Sequence, residues 1–135
     1  MKLLIILILI VLLRWWYLNP KIKEFTINGG QFDQDINVII TEDTSYALNF
    51  IRKNLDTSVK SEDLFARGLT FESIDGKPII VWLSDANDIG VNNHELLHAT
   101  IALMKWANVP YSGDTEEVYA YQLQYLSNQF YNNLK

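Results

Sequence analysis

The sequence predicts an α+β domain: a small, mostly antiparallel sheet with about three helices, preceded by a hydrophobic N-terminal helix. Three observations predict it. Four short stretches, 22–27, 36–41, 71–74 and 79–83, have the length and apolar patterning of strands. Three longer ones, 44–55, 91–107 and 114–131, carry apolar residues at helical spacing. An unbroken apolar run over 3–13 stands apart from both sets. The chain has 135 residues, of which 49% are hydrophobic, enough for one domain with a real core. We read that domain as 19–135 and the segment before it as 1–18.

In order, segment 1–18 opens with Lys2, continues apolar to Leu13, and closes with Arg14 and the cluster Trp15-Trp16-Tyr17-Leu18. That is the layout of a signal peptide or an uncleaved signal-anchor. Between Arg14 and Phe25 there is no Ala, Gly or Ser to form a cleavage site, so retention as a membrane anchor is expected. The aromatic cluster suits a membrane interface. Sixteen helical residues span about 24 Å, against about 30 Å of hydrocarbon, so a hydrophobic helix outside any membrane is the alternative. Positive residues lie on both sides, which leaves the orientation open.

Asn19-Pro20 ends the segment. Residues 22–27 alternate apolar and polar, and Gly29-Gly30 marks a turn. In 36–41, Ile36, Val38 and Ile40 share one face. The helix over 44–55 aligns Tyr46, Ala47, Phe50, Ile51 and Leu55, and 61–66 suits a helical turn. Asp75-Gly76 between 71–74 and 79–83 signals a hairpin, with Pro78 confined to a strand start or an edge. The last two helices are separated by Asn108-Val109-Pro110 and a short loop.

Bulk charge and composition exclude some functions. A net charge of −5 and a pI near 4.9 argue against a nucleic-acid partner held by a basic surface. Cysteine is absent, which rules out disulfides and thiolate metal sites.

The chemistry concentrates in His94-Glu95-Leu96-Leu97-His98, which contains the only two histidines of the chain. Four residues apart on a helix, the two imidazoles lie one turn apart on the same face. Glu95 projects about 100° round the helix, within reach of a water on a shared metal. Two ligands and a general base are the HExxH arrangement of zinc hydrolases. Leu96, Leu97, Thr100, Leu103 and Met104 form the expected core stripe; the histidines lie off it, with Ile101 and Lys105. The competing reading of Glu95 is a capping box with Asn92 as N-cap, which leaves the paired histidines unexplained.

With two histidines and no cysteine, any further protein ligand is an oxygen. That is the open, catalytic type of Zn²⁺ site rather than the closed structural type. The candidates are Glu116 and Glu117, in the first turn of the helix after the histidines. Glu116 heads the apolar stripe Tyr119, Leu123, Leu126 and Phe130; Glu117 heads a polar one with Tyr121, Gln124 and Asn128. Asp114 with Glu117 also has capping-box spacing, so capping competes with ligation.

Glu117-Val118-Tyr119-Ala120-Tyr121 resembles the Glu-x-x-Ala/Ser-Asp signature of the gluzincin metallopeptidases, with Tyr121 in place of the Asp. A closer similarity is to small HExxH proteins of phages and bacterial mobile elements: an apolar strand (79–83), His-Glu-x-x-His-Ala (94–99), then Glu-Glu-Ala-x-Ala-Tyr (116–121, with Val118 for the first Ala). The likeness covers about 55 residues, from Pro78 to Tyr131. It implies a zincin-like fold with Glu117 as third ligand beside His94 and His98. It also implies a metallopeptidase acting on a peptide or protein substrate. The chain lacks the Gly and His that a metzincin would carry at Ile101 and Met104, and the cysteine of a deformylase-like site.

On this reading Glu95 is the general base for a zinc-bound water. Tyr111, Tyr121 and Tyr125 are candidate oxyanion donors, and 79–83 a candidate strand for peptide addition if it is an edge. The alternative is a non-catalytic, zinc-stabilised interaction module tethered to a membrane.

Overall fold

The computed structural model describes residues 2–18, 21–55, 59–72 and 76–135, and within the first helix the side chains of 5–14. Among the described residues the chain forms α1 (Lys2–Leu18), β1 (Lys23–Ile27), β2 (Ile36–Ile40), α2 (Thr44–Leu55), a short 3-10 helix (Ser61–Phe65), β3 (Gly68–Phe71), β4 (Ile79–Leu83), α3 (Ile89–Trp106) and α4 (Glu116–Leu134). The α+β class and the three main helices are as expected.

The sheet is mixed, in the order β1-β2-β4-β3. β1 pairs antiparallel with β2, and β3 antiparallel with β4, while the central pair β2 and β4 is parallel. The parallel pair is possible because 41–78 crosses over between the two strands, carrying α2 and β3.

Side-chain alternation divides the core between the two faces of the sheet. Ile36, Val38 and Ile40 of β2, with Ile79, Val81 and Leu83 of β4, pack against Leu96, Ala99 and Leu103 of α3 and Leu126 and Phe130 of α4. Ile39, Ile80 and Trp82 face the other way, onto Ala47 and Ile51 of α2 and Leu64 of the 3-10 helix. β4 is apolar throughout because both of its faces are covered. Trp82 is buried with its indole Nε1 donating to the Thr41 carbonyl at 3.1 Å.

Several expectations need correction. The strand read at 71–74 runs instead over Gly68–Phe71 and pairs in register from Gly68↔Leu83 to Phe71↔Ile80. Residues 73–75, the end of the expected strand and the first residue of the expected Asp75-Gly76 turn, lie outside the described residues; Gly76 has φ +77°, a value that favours glycine. β4 is a central strand, so 79–83 has no free edge for a peptide. Among the described residues the edge on that side of the sheet belongs to β3.

α1 is helical as expected, and its Ile5 to Leu13 side chains are each 51–60% exposed. At 17 residues it is about 25 Å long. Among the described residues no helix is long and apolar enough to cross a membrane, so the expected spanning segment is not supported.

Candidate metal centre

α3 starts earlier than its apolar pattern suggests. Asp88 is the N-cap, its Oδ1 accepting from the Val91 amide at 3.2 Å. Arg67, just before β3, holds the other oxygen of Asp88 at 2.6 Å. The start of the helix is thereby tied to the start of the edge strand. Asn92 lies inside the helix, buried, its Nδ2 donating to the Ala86 carbonyl at 2.7 Å. It is not the N-cap, and Glu95 takes no part in capping.

His94 and His98 project side by side from the exposed flank of α3. Their Nε2 atoms are 3.0 Å apart, with ring centroids at 4.7 Å and planes at 73°. Two nitrogens bound to one tetrahedral zinc at 2.0–2.1 Å stand about 3.3 Å apart. The pair therefore has nearly the bite that a zinc ion requires, and neutral imidazole nitrogens are donors of the right kind.

Glu95 is only 5% exposed although it is ionisable. Thr70 of β3 accounts for its burial: Oγ1 donates to Glu95 Oε2 at 2.8 Å and lies 3.0 Å from the Glu95 carbonyl oxygen. A buried carboxylate needs such a partner. Gly68 lets strand and helix approach this closely. A Cβ there would stand 2.8 Å from both Glu95 Cγ and Val91 Cγ1.

β3 and α3 form the two walls of an open cleft of about 710 Å³, whose lining includes Arg67, Gly68, Thr70, His94, Glu95 and His98. Gly68, Thr70 and Arg67 escaped sequence reasoning. The first two sit at period 2 on one face of β3, whereas the strand expected from the apolar pattern begins only at Phe71. Nothing in the sequence singles out Arg67.

Glu116 and Glu117 are not brought to the histidines. Among the described residues no three His, Cys, Asp or Glu side chains form a group able to hold a metal. The length of α3 explains this. Tyr131 Oη of α4 donates to Asn93 Oδ1 of α3 at 2.8 Å, and Tyr119 Oη donates to the Val109 carbonyl at 2.8 Å, so the two helices run antiparallel along most of their length. Counted from the Tyr131–Asn93 contact, Glu117 is level with the end of α3, about nine residues or 13 Å past His98. Its stripe (Tyr121, Gln124, Asn128) is exposed, whereas Glu116 lines an apolar groove with Leu97, Ile101, Tyr111 and Tyr119. The capping box with Asp114 is not formed either: the N-cap position of α4 is Thr115, whose Oγ1 donates to the Pro110 carbonyl at 2.6 Å.

The candidate oxyanion donors are also displaced from the cleft. Tyr111 lines the α3–α4 groove, while Tyr121 and Tyr125 lie against Gly30 and Gln31 at the far side of α4. Arg67 is the side chain in the cleft whose N–H groups could serve instead. Comparison with protein-family models, curated proteins and solved structures finds no match for the chain.

Proposed function

We propose that the protein is a metal-dependent hydrolase of peptide bonds, with a zincin-like arrangement of edge strand and histidine helix. The observation that carries this is the His94–His98 pair, set 3.0 Å apart in one cleft with a buried, hydrogen-bonded Glu95. When bound, zinc supplies Lewis acidity and lowers the pKa of its water to about 7. His94 and His98 contribute the two Nε2 lone pairs. With Oε2 of Glu95 held by Thr70, Oε1 is the oxygen left to take a proton from the attacking water and return it to the leaving amine.

The unpaired edge of β3 offers main-chain donors and acceptors to an extended peptide beside that carboxylate. Arg67 lies at the entrance and is suited to a developing oxyanion or a substrate carboxylate. The carboxylate expected from Glu117 is not part of this reading's support.

We also propose that α1 anchors the protein in lipid. Its exposed residues Ile5 to Leu13 leave no polar face, so an all-round apolar surrounding suits it better than one protein groove. A helix of about 25 Å is short for a bilayer, which implies local thinning or incomplete insertion.

The test of catalysis compares wild type, Glu95→Gln and His94→Ala for zinc content and for cleavage of unfolded protein substrates. Wild type should carry one zinc and cut. Glu95→Gln should keep the zinc and lose at least a hundredfold in rate, consistent with loss of a general base. His94→Ala should lose both. Equal cleavage by Glu95→Gln would refute the proposal; zinc without any cleavage by wild type would favour the non-catalytic module.

A further inference from the structure

Just past the end of β3, outside the lining of the cleft, stands a carboxylate that the HExxH pattern does not point to, Glu72. Gly68, Thr70 and Glu72 alternate along one side of the chain at β3, the side facing α3. Gly68 abuts Val91 and Glu95, Thr70 bonds Glu95, and Glu72 Oε2 lies 2.6 Å from Lys105 Nζ. The strand therefore runs alongside α3 in the same direction. Four residues of strand advance about 13 Å, equal to about nine residues of helix. Counted from the Gly68–Val91 contact, Glu72 comes level with residue 100, within a turn of His98.

His98 is on the correct flank for that approach. It lies seven residues after Val91 and seven before Lys105, so all three occupy nearly the same stripe of α3. β3 touches this stripe at Val91, and Glu72 reaches it at Lys105. The Glu72 carboxylate is half exposed and held by a long and flexible lysine.

Resting on the metal-binding reading of the histidine pair, we propose that Glu72 is the third protein ligand. On this assignment the metal exchanges Lys105 for itself as the partner of Glu72, and the ligand set is His94, His98 and Glu72. The carboxylate then comes from the edge strand rather than from α4. Lys105 becomes a competitor that holds Glu72 while no cation is present.

Zinc affinity of the full chain, measured by competition with a chromophoric chelator, tests this without any substrate. Glu72→Gln should weaken zinc binding by at least the 10–100-fold seen for loss of a supporting partner. Lys105→Met should tighten it two- to fivefold, the scale of an exposed ion pair. Glu117→Gln should bind as wild type does. Both Glu72 and Lys105 are exposed, and thermal unfolding of each variant checks that the fold is kept. Wild-type affinity in Glu72→Gln, unaltered affinity in Lys105→Met, or a loss in Glu117→Gln as large as that expected for Glu72→Gln would overturn the assignment. If zinc binding depends on His94 and not on Glu72, this inference alone fails. If wild type binds no zinc, the underlying metal reading fails.

Discussion

Gly68→Ala tests whether the cleft is built on close contact between β3 and α3. The added methyl would meet Glu95 Cγ and Val91 Cγ1 at 2.8 Å and Leu83 Cδ2 at 3.1 Å. Ordinary contact begins at 3.4 Å, so the Glu95 and Val91 side chains, or the strand and helix that carry them, must give way by 3.4 − 2.8 = 0.6 Å. Overpacking of this kind costs about 1–3 kcal/mol. The shift also stretches the 2.8 Å Thr70–Glu95 bond toward the limit of hydrogen bonding. That bond is worth a further ~1.5 kcal/mol if the carboxylate is charged. Replacing a glycine offsets about 0.4–1 kcal/mol through the unfolded chain. The net loss should be about 3 kcal/mol, a fall of about 1.5 M in the urea midpoint for a slope near 2 kcal/mol/M. Urea unfolding followed by far-UV circular dichroism reads it directly. A midpoint within about 0.2 M of wild type would show that the two elements are not in the contact described.

Two further outcomes follow from the structure. Burial raises the Tyr131 hydroxyl above its usual value of 10.0, so its neutral form is favoured in the fold. That contribution is complete below pH 10 and is lost as pH rises toward the raised value. Tyr131→Phe should therefore flatten the alkaline decline in melting temperature, and an unchanged decline would contradict the assignment. For α1, the full chain should float with phospholipid vesicles in a density gradient. Leu7→Asp with Val11→Asp should stay in the aqueous fraction, since each charge costs about 2.5–3.5 kcal/mol at the centre of a helix in lipid. A wild-type chain that fails to float would refute the lipid-anchor reading.

The sequence was most legible where one residue class filled an element. Residues 79–83 are apolar throughout and form β4 without change of boundary; 44–55 also keeps its boundaries as α2, there because its apolar residues recur at helical spacing. β3 was displaced because its first residue is a glycine, a weak strand former, chosen here for clearance against Glu95 rather than for propensity. The buried face of α3 was misjudged by about 70° of rotation. Leu97, expected in the core, is 44% exposed, whereas Ala99, Ala102 and Glu95 are buried. Alanines add little to an apolar pattern, yet they let the helix sit close to the sheet. The histidine pair was readable because spacing alone fixes i and i+4 neighbours. The position of Glu117 was not, because it depends on how far α3 continues past His98, and an apolar pattern does not measure that relative to a partner helix.

The parallel pairing of β2 with β4 has a consequence for how the molecule is made. Ile36 opposite Ile79 joins positions 43 apart in the chain, whereas both walls of the cleft come from the continuous stretch 66–106. Contacts local in sequence form sooner than those that must first close a long loop. A hairpin with its trailing helix is thus expected to assemble ahead of the sheet's midline, so the imidazoles and Glu95 meet before the first half of the chain has docked. Slow maturation would then lie in the scaffold and not in the cleft.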